Sequence, residues 1–419
     1  MFKFLHTADI HLDSPLKGLE SYEDAPVQEI RGATRRAFDN LIDFAIEEKV
    51  DFILIAGDLY DGDWKDYNTG LFFINRMGRL RRAGIRVFIV SGNHDAASQT
   101  TKALPLPDNV LLFSAKKAET KVLDELRVAV HGHSYPSRVV NENLALRYPG
   151  KHAGYFNIGL LHTALTGREG HEPYAPCSVD DLRASGYDYW ALGHVHQQEI
   201  VARDPWIVFP GNLQGRHIRE VGAKGATLVT VAEGRVTEVE QREFDVLRWA
   251  LRRVDVSACE TVDAVFSQVR QAIEGGQAAG DGRPLALRLI LAGTPPVHGD
   301  LFDRAAQLID EFRAVAASAG GMWLEKVLLQ TRRRTDLSDI VGRDTALSGL
   351  LHSLADQRLD IEGLFDLLPE LSALKSKLPP ELFAGDEPFL ADTPGQMEFL
   401  RSEVRELLVA RLLRHGGHG

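Results

Sequence analysis

The chain has 419 residues, of which 44% are hydrophobic, 26% charged and 8% aromatic, proportions that exclude a collagenous, low-complexity or wholly disordered protein. Its 48 lysines and arginines against 59 aspartates and glutamates leave a net charge of −11, which excludes a globally basic nucleic-acid binder but not a local basic strip. Two cysteines, Cys177 and Cys259, and no apolar run near the roughly 20 residues of a membrane-spanning helix predict a chain without structural disulfides or membrane attachment.

The first predicted element is a strand from Phe2 to Thr7, too short and too soon followed by Asp9 to serve as a signal peptide, so the expected compartment is the cytoplasm. Ile30, Ala37, Phe38, Leu41, Ile42, Ala45 and Ile46 recur at helical spacing, and strand-length runs follow at Phe52 to Ala56 and Val87 to Val90. From Leu126 strands dominate: Leu126 to Val130, Phe156 to Leu161, Tyr187 to Leu192, Ile207 to Phe209, and a hairpin of Ala226 to Val231 with Val236 to Gln241 through Ala232-Glu233-Gly234-Arg235. Around Phe244 to Val256 the pattern changes. A helix marked by Val262, Val265, Phe266, Val269 and Ile273, a loop at Gly275 to Gly280, a strand at Leu285 to Leu291, a helix near Leu301 to Ala317 and a strand near Trp323 to Leu329 make a smaller α/β unit. The remainder reads as helical, ending in a helix with Met397, Leu400, Val404, Leu407 and Leu408 on one face. The expected fold is α/β: a two-layered mixed β-sandwich flanked by helices over residues 1–245, a small α/β domain over 246–332 and a helical region over 333–419.

Five of the strand-like runs end in side chains that bind metals. Asp9-Ile10-His11 follows the first, Gly57-Asp58-Leu59-Tyr60-Asp61 the second and Gly92-Asn93-His94-Asp95 the third. His162 closes the run from Phe156, and Gly193-His194-Val195-His196 the run from Tyr187. Ligand crevices of open α/β sheets lie beyond the carboxyl ends of the strands, so these groups are expected to converge. Imidazole, carboxylate and amide oxygen without thiolate suit manganese, iron or zinc rather than a cysteine-held structural zinc. Asp-x-His and His-x-His each place two ligands on one side of an extended segment. Asp9, His11, Asp58, Asn93, His162, His194 and His196 outnumber the ligands of one four-coordinate zinc, and two ions with Asp58 between them account for the surplus.

The ordered set Asp9-x-His11, Gly57-Asp58-x-x-Asp61, Gly92-Asn93-His94-Asp95, His162 and Gly193-His194-x-His196 resembles the calcineurin-like metallophosphoesterases. The opening His6-Thr7-Ala8-Asp9-Ile10-His11-Leu12 and Phe209-Pro210-Gly211-Asn212 narrow the resemblance to the DNA repair exonuclease branch, with its SbcD-like nuclease subunits and YhaO-type relatives. The resemblance implies one metal on Asp9, His11 and His196, a second on Asn93, His162 and His194, Asp58 as the bridge, and His94 as the catalytic histidine. It also gives the small α/β unit the position of a capping domain. Some nucleases of the family carry a histidine where this chain has Asp61; an aspartate there resembles the phosphatase members, in which it pairs with the catalytic histidine.

The implied function is metal-dependent cleavage of DNA with two divalent ions, manganese first and iron or zinc as alternatives, in a DNA repair complex with an SMC-like ATPase of the Rad50 or SbcC type. That ATPase would bind the C-terminal helix; packing of the helix on its own domain is the competing reading, and a homodimer stays open. A phosphomonoesterase or small-nucleotide phosphodiesterase with the same two metals is the alternative activity. A non-catalytic scaffold for the ATPase would show missing ligands, and none is missing. Arg216 and Arg219 are candidate phosphate contacts because a guanidinium fork matches phosphate oxygens, and His217 is a candidate for lining the cleft.

Overall fold

A computed structural model describes residues 1–14, 32–61, 67–97, 105–165 and 174–333. Strand and helix alternate first: β1 (Phe2–Thr7), α1 (Ala33–Glu47), β2 (Phe52–Ala56), α2 (Tyr67–Arg82), β3 (Arg86–Val90), a short α3 (Asn93–Ala97) and β4 (Val110–Leu112). Then come β5 (Glu119–Leu123), β6 (Val128–Gly132), β7 (Phe156–His162), α4 (Val179–Ala184), β8 (Tyr189–Gly193), β9 (Glu199–Arg203), β10 (Trp206–Phe209), β11 (Gly225–Ala232) and β12 (Arg235–Glu243). These strands form two six-stranded sheets, ordered β12-β11-β1-β2-β3-β4 and β5-β6-β7-β8-β10-β9.

Side-chain alternation explains why the first sheet's central strands read as unbroken apolar runs. Phe52, Leu54 and Ala56 of β2 and Phe88 and Val90 of β3 join Val130, Ile158 and Tyr189 of the second sheet in one core. Ile53, Ile55, Val87 and Ile89 point the other way, to Phe38, Leu41 and Ile42 of α1 and Phe73 and Met77 of α2. A strand buried on both faces has no polar side to show. Within the inter-sheet core Phe4 stacks on Phe52 with ring centroids 5.1 Å apart and meets Tyr189 edge-on at 5.2 Å. Each such side chain contributes about 1.5–3 kcal/mol by its burial. The outer face of the second sheet buries Leu161, Trp190, Leu192 and Ile207 with Leu182 of α4.

This is the expected two-layered mixed sandwich with helices outside. β1 to β4 pair in parallel, as do β6 with β7, β7 with β8 and β8 with β10, whereas β11 is antiparallel to β1 and to β12. The expected hairpin is present: Ala232 pairs with Arg235 across Glu233 and Gly234, whose φ values of 52° and 73° match the strand twist. Parallel pairing sends the carboxyl ends of β1, β2 and β3 out of one side of their sheet, with Thr7 beside Ile55 and Ala56 beside Val90; in the second sheet His162 lies beside Gly193.

Farther along are β13 (Arg248–Asp255), α5 (Val262–Gly276), β14 (Leu285–Gly293), α6 (His298–Asp303), α7 (Ala305–Ala319) and β15 (Met322–Thr331), the strands forming a sheet in the order β13-β14-β15. The helix expected near Leu301 to Ala317 is therefore two helices, and the expected loop at Gly275 to Gly280 is the end of α5 followed by a tight turn of 3-10 helix. The described residues divide into two compact units, residues 1–253 with 269–290 and 309–328, and residues 254–268 with 291–308 and 329–333. From residue 334 the expected helical region 333–419, with Met397, Leu400, Val404, Leu407 and Leu408, lies outside the described residues. No helix among the described residues is long and apolar enough to cross a membrane.

Candidate metal centre

Asp9 and His11 share a side for a different reason from the expected one. Their φ angles of 50° and 46° are left-handed, so the chain coils as it leaves β1 instead of running extended. Asp58 beyond β2 is left-handed as well, with φ 52°. Such backbone costs a non-glycine residue about 1–2 kcal/mol. Hydrogen bonds between the two exits offset it: Asp9 N–H donates to the Gly57 carbonyl at 3.0 Å, His11 N–H to that of Asp58 at 3.0 Å and Leu12 N–H to that of Leu59 at 2.9 Å. Two glycines allow the sheets to close on this point. A Cβ at Gly57, where φ is 94°, would strike the His162 ring, and one at Gly193 would strike the Ala56 carbonyl.

All seven expected ligands meet here. Ligand atoms of Asp9, His11 and His196 lie within 4.8 Å of one another, and so do those of Asp9, Asp58 and His162, and of His11, Asp58 and His94. Asp58 Oδ2 stands 3.5 Å from His162 Nε2 and 4.0 Å from His11 Nε2, between the two sheets' contributions. Asn93 Oδ1 is 2.9 Å from His162 Nε2, and the His194 ring packs edge-on to that of His162 with centroids 5.2 Å apart. The His194 N–H donates to the Asp9 carboxylate at 2.9 Å.

The electrostatics of this cluster suit added positive charge. Burial, and then the charge of Asp58, hold the Asp9 carboxyl well above the usual range, and burial raises Asp58. Burial, and then Arg216, push the His11 imidazole well below its usual value, while burial takes His162 down to about 3. The imidazoles are therefore neutral, with lone pairs to give. Fully buried His11 has no hydrogen-bond partner at Nε2, and its Nδ1 stands 3.5 Å from Asp61 Oδ1. Leaving a buried polar nitrogen unmatched costs about 1–3 kcal/mol, and a divalent ion among these oxygens and nitrogens would take up its lone pair and restore the carboxylates' charge. The residues present fit a pair of divalent cations.

Beside the cluster stand His94 and Asp61. His94 belongs to α3 and not to a loop, and its N–H donates to Asp58 Oδ1 at 3.0 Å. Its Nδ1 is 3.1 Å from Asp61 Oδ1, while Asp61 Oδ2 accepts from the Ser14 hydroxyl at 2.7 Å. Burial works against charging His94, but the hydrogen bond to Asp61 and the charge of Asp58 outweigh it and raise its pKa. Burial likewise opposes ionisation of Asp61, yet its bonds to His11, His94 and Ser14 hold the carboxyl far below the usual range.

Arg216 and His217 reach the same place by way of a residue that sequence reasoning missed. Glu220 Oε1 accepts from His196 Nδ1 at 2.6 Å and lies 3.2 Å from Arg216 Nη2 and 3.3 Å from His217 Nε2. Arg216 Nη1 also comes within 3.4 Å of the Ser14 hydroxyl and 4.0 Å of Asp61 Oδ1. Arg219 is exposed. No spacing in the chain links Glu220 or Ser14 to the ligands, because both depend on loops brought together by the sandwich.

Residues 2–198 match the family model of the calcineurin-like phosphoesterases, and residues 249–332 match that of the metallophosphoesterase YhaO middle domain. The uncharacterized metallophosphoesterase YhaO of Bacillus subtilis (strain 168) is 39% identical over 313 residues, which are 74% of this chain and 76% of that protein. The DNA double-strand break repair protein Mre11 of Sulfurisphaera tokodaii is 29% identical over 259 residues, 58% of this chain and 63% of that protein. Its namesake from Methanopyrus kandleri is 26% identical over 298 residues, 64% of this chain and 62% of that protein. The chain belongs to the calcineurin-like phosphoesterase family, hydrolases of phosphoric esters built around a dimetal site.

Proposed function

We propose that the protein is a metal-dependent DNA nuclease, the nuclease subunit of a cytoplasmic DNA repair assembly with an SMC-like ATPase of the Rad50 or SbcC type. What carries the reading is the convergence of five strand exits on fully buried His11, whose Nε2 has no hydrogen-bond partner. Kinship with double-strand break repair proteins supports DNA as the substrate. Asp9, His11 and His196 would hold one ion and Asn93, His162 and His194 the other, with Asp58 available to both. The ions, manganese first and iron or zinc as alternatives, would acidify a water for in-line attack and neutralise charge on the phosphoryl group. His94, kept protonated by Asp61, donates a proton to the leaving oxygen. Arg216 and His217 meet the flanking phosphates. Residues 1–245 act as the catalytic domain, 246–332 as a cap and 333–419 as the partner-binding region.

The Asp61–His94 pair at 3.1 Å favours one competing reading, hydrolysis of phosphomonoesters or small nucleotides. Purified protein with Mn²⁺, given labelled single- and double-stranded DNA beside p-nitrophenyl phosphate and its bis-ester, separates the two. DNA and bis-ester cleavage is expected; turnover of the monoester alone would replace the DNA assignment. For the partner, removing residues 394–419 is expected to leave cleavage of short DNA intact and to abolish co-purification with the ATPase. Unchanged co-purification with a lowered melting temperature would return the helix to its own domain.

A further inference from the structure

One buried carboxylate beside the centre belongs neither to the ligands nor to the acid pair. Glu220 is 4% exposed and lies between β10 and β11. On one side of the His196 ring Nδ1 is 2.6 Å from Glu220 Oε1; on the other Nε2 faces Asp9 Oδ1 at 3.8 Å. An imidazole offers Nε2 to a cation only when its proton sits on Nδ1, and an acceptor at Nδ1 selects that tautomer and fixes the plane of the ring. Glu220 is itself held from both oxygens: Oε2 accepts from Asn212 Nδ2 at 2.9 Å and from the Arg216 N–H at 2.6 Å, and Oε1 from Arg216 Nη2 at 3.2 Å. His162 is oriented in the same sense by other means, with Nδ1 on the Ala56 carbonyl at 2.8 Å and Nε2 toward Asn93 Oδ1 at 2.9 Å.

We infer that Glu220 is a positioning residue for His196, so that the ion on Asp9, His11 and His196 depends on Glu220 while the ion on Asn93, His162 and His194 does not. The inference rests on the assignment of ligands given under the proposed function. Carboxylates behind ligating histidines typically change metal affinity by about 10- to 100-fold. A side chain that merely held the loop together would affect both ions alike.

Equilibrium dialysis against Mn²⁺, with the melting temperature of each metal-free protein measured alongside, tests this on the full chain. Wild type is expected to bind two ions. Glu220→Gln should weaken one by about 10- to 100-fold and leave the other unchanged. Glu220→Asp, which keeps a carboxylate, should recover part of that loss, and His11→Ala/Glu220→Gln should retain the second ion at wild-type affinity. Both ions held at wild-type affinity by Glu220→Gln would overturn the role of Glu220 and leave the metal centre standing. So would loss of both together with a lowered metal-free melting temperature in both Glu220 variants, which marks a scaffold residue. A wild type that binds no pair of ions would overturn the metal centre and the inference with it.

Discussion

The floor of the centre and its rim manage charge in different ways. Asp9, His11, Asp58 and His162 are at most 2% exposed, whereas the side chains of Asp61, His94 and His196 are 28%, 32% and 25% exposed. On the rim each imidazole has its own carboxylate, His94 with Asp61 and His196 with Glu220. On the floor burial drives carboxyls up and imidazoles down, and the compensation must come from outside the chain. On the proposed assignment the floor supplies most of the cation ligands, and the rim adds one more, His196, beside the pair His94 and Asp61.

The largest effect should come from the floor. Asp58→Asn is expected to lose both ions and all hydrolysis, whereas His11→Ala weakens mainly one ion; elemental analysis of the two variants reads the difference. Two ions retained in Asp58→Asn would place the shared oxygen elsewhere and erase the distinction between floor and rim.

On the rim, His94→Ala should keep both ions while kcat on DNA falls by about 10²- to 10⁴-fold, the range of general acid catalysis. A nitrophenyl ester, whose leaving group needs no proton, should suffer less. Equal losses on both substrates would remove His94 from that role.

Asp61→Asn sharpens the comparison by pH. The Asp61 bond raises the His94 pKa, so the acid form survives to higher pH than in an ordinary imidazole. Without it, the alkaline limb of the kcat profile should move to lower pH, with little change well below the usual imidazole pKa of about 6.5. An alkaline limb that stayed in place would assign it to another group. The smallest effect is expected from His217→Ala, less than about tenfold in kcat/KM, or about 1.4 kcal/mol, with both ions intact by elemental analysis.

The floor was legible in the sequence because strands buried on both faces announce themselves as apolar runs, and Asp9, Asp58, Asn93, His162 and His194 stand at or just past their ends. Strands β4, β5 and β9 were not legible. They are short, and β5 and β9 lie at the edges of their sheet with half-exposed, partly charged residues such as Glu119, Lys121, Glu199 and Arg203. The expectation of an extended Asp9-Ile10-His11 failed because periodicity describes side chains along a strand and not the hydrogen bonds to Asp58 and Gly57 that coil the chain beyond it. Glu220 escaped for a similar reason: its meaning lies in His196, a residue 24 positions away in another loop.

The position of β1 bears on how the protein is made. This strand lies inside its sheet, between β2 and β11, and Phe2 pairs with Val231 at the far end of the catalytic fold. A growing chain therefore exposes one edge of β1, with Phe2 and Phe4 on it, until β11 has been synthesised, roughly 10 to 35 seconds after β2 at about 5–20 residues per second. Slow synthesis or an interrupted message would prolong the life of that sticky edge, and a holding chaperone would find a target there.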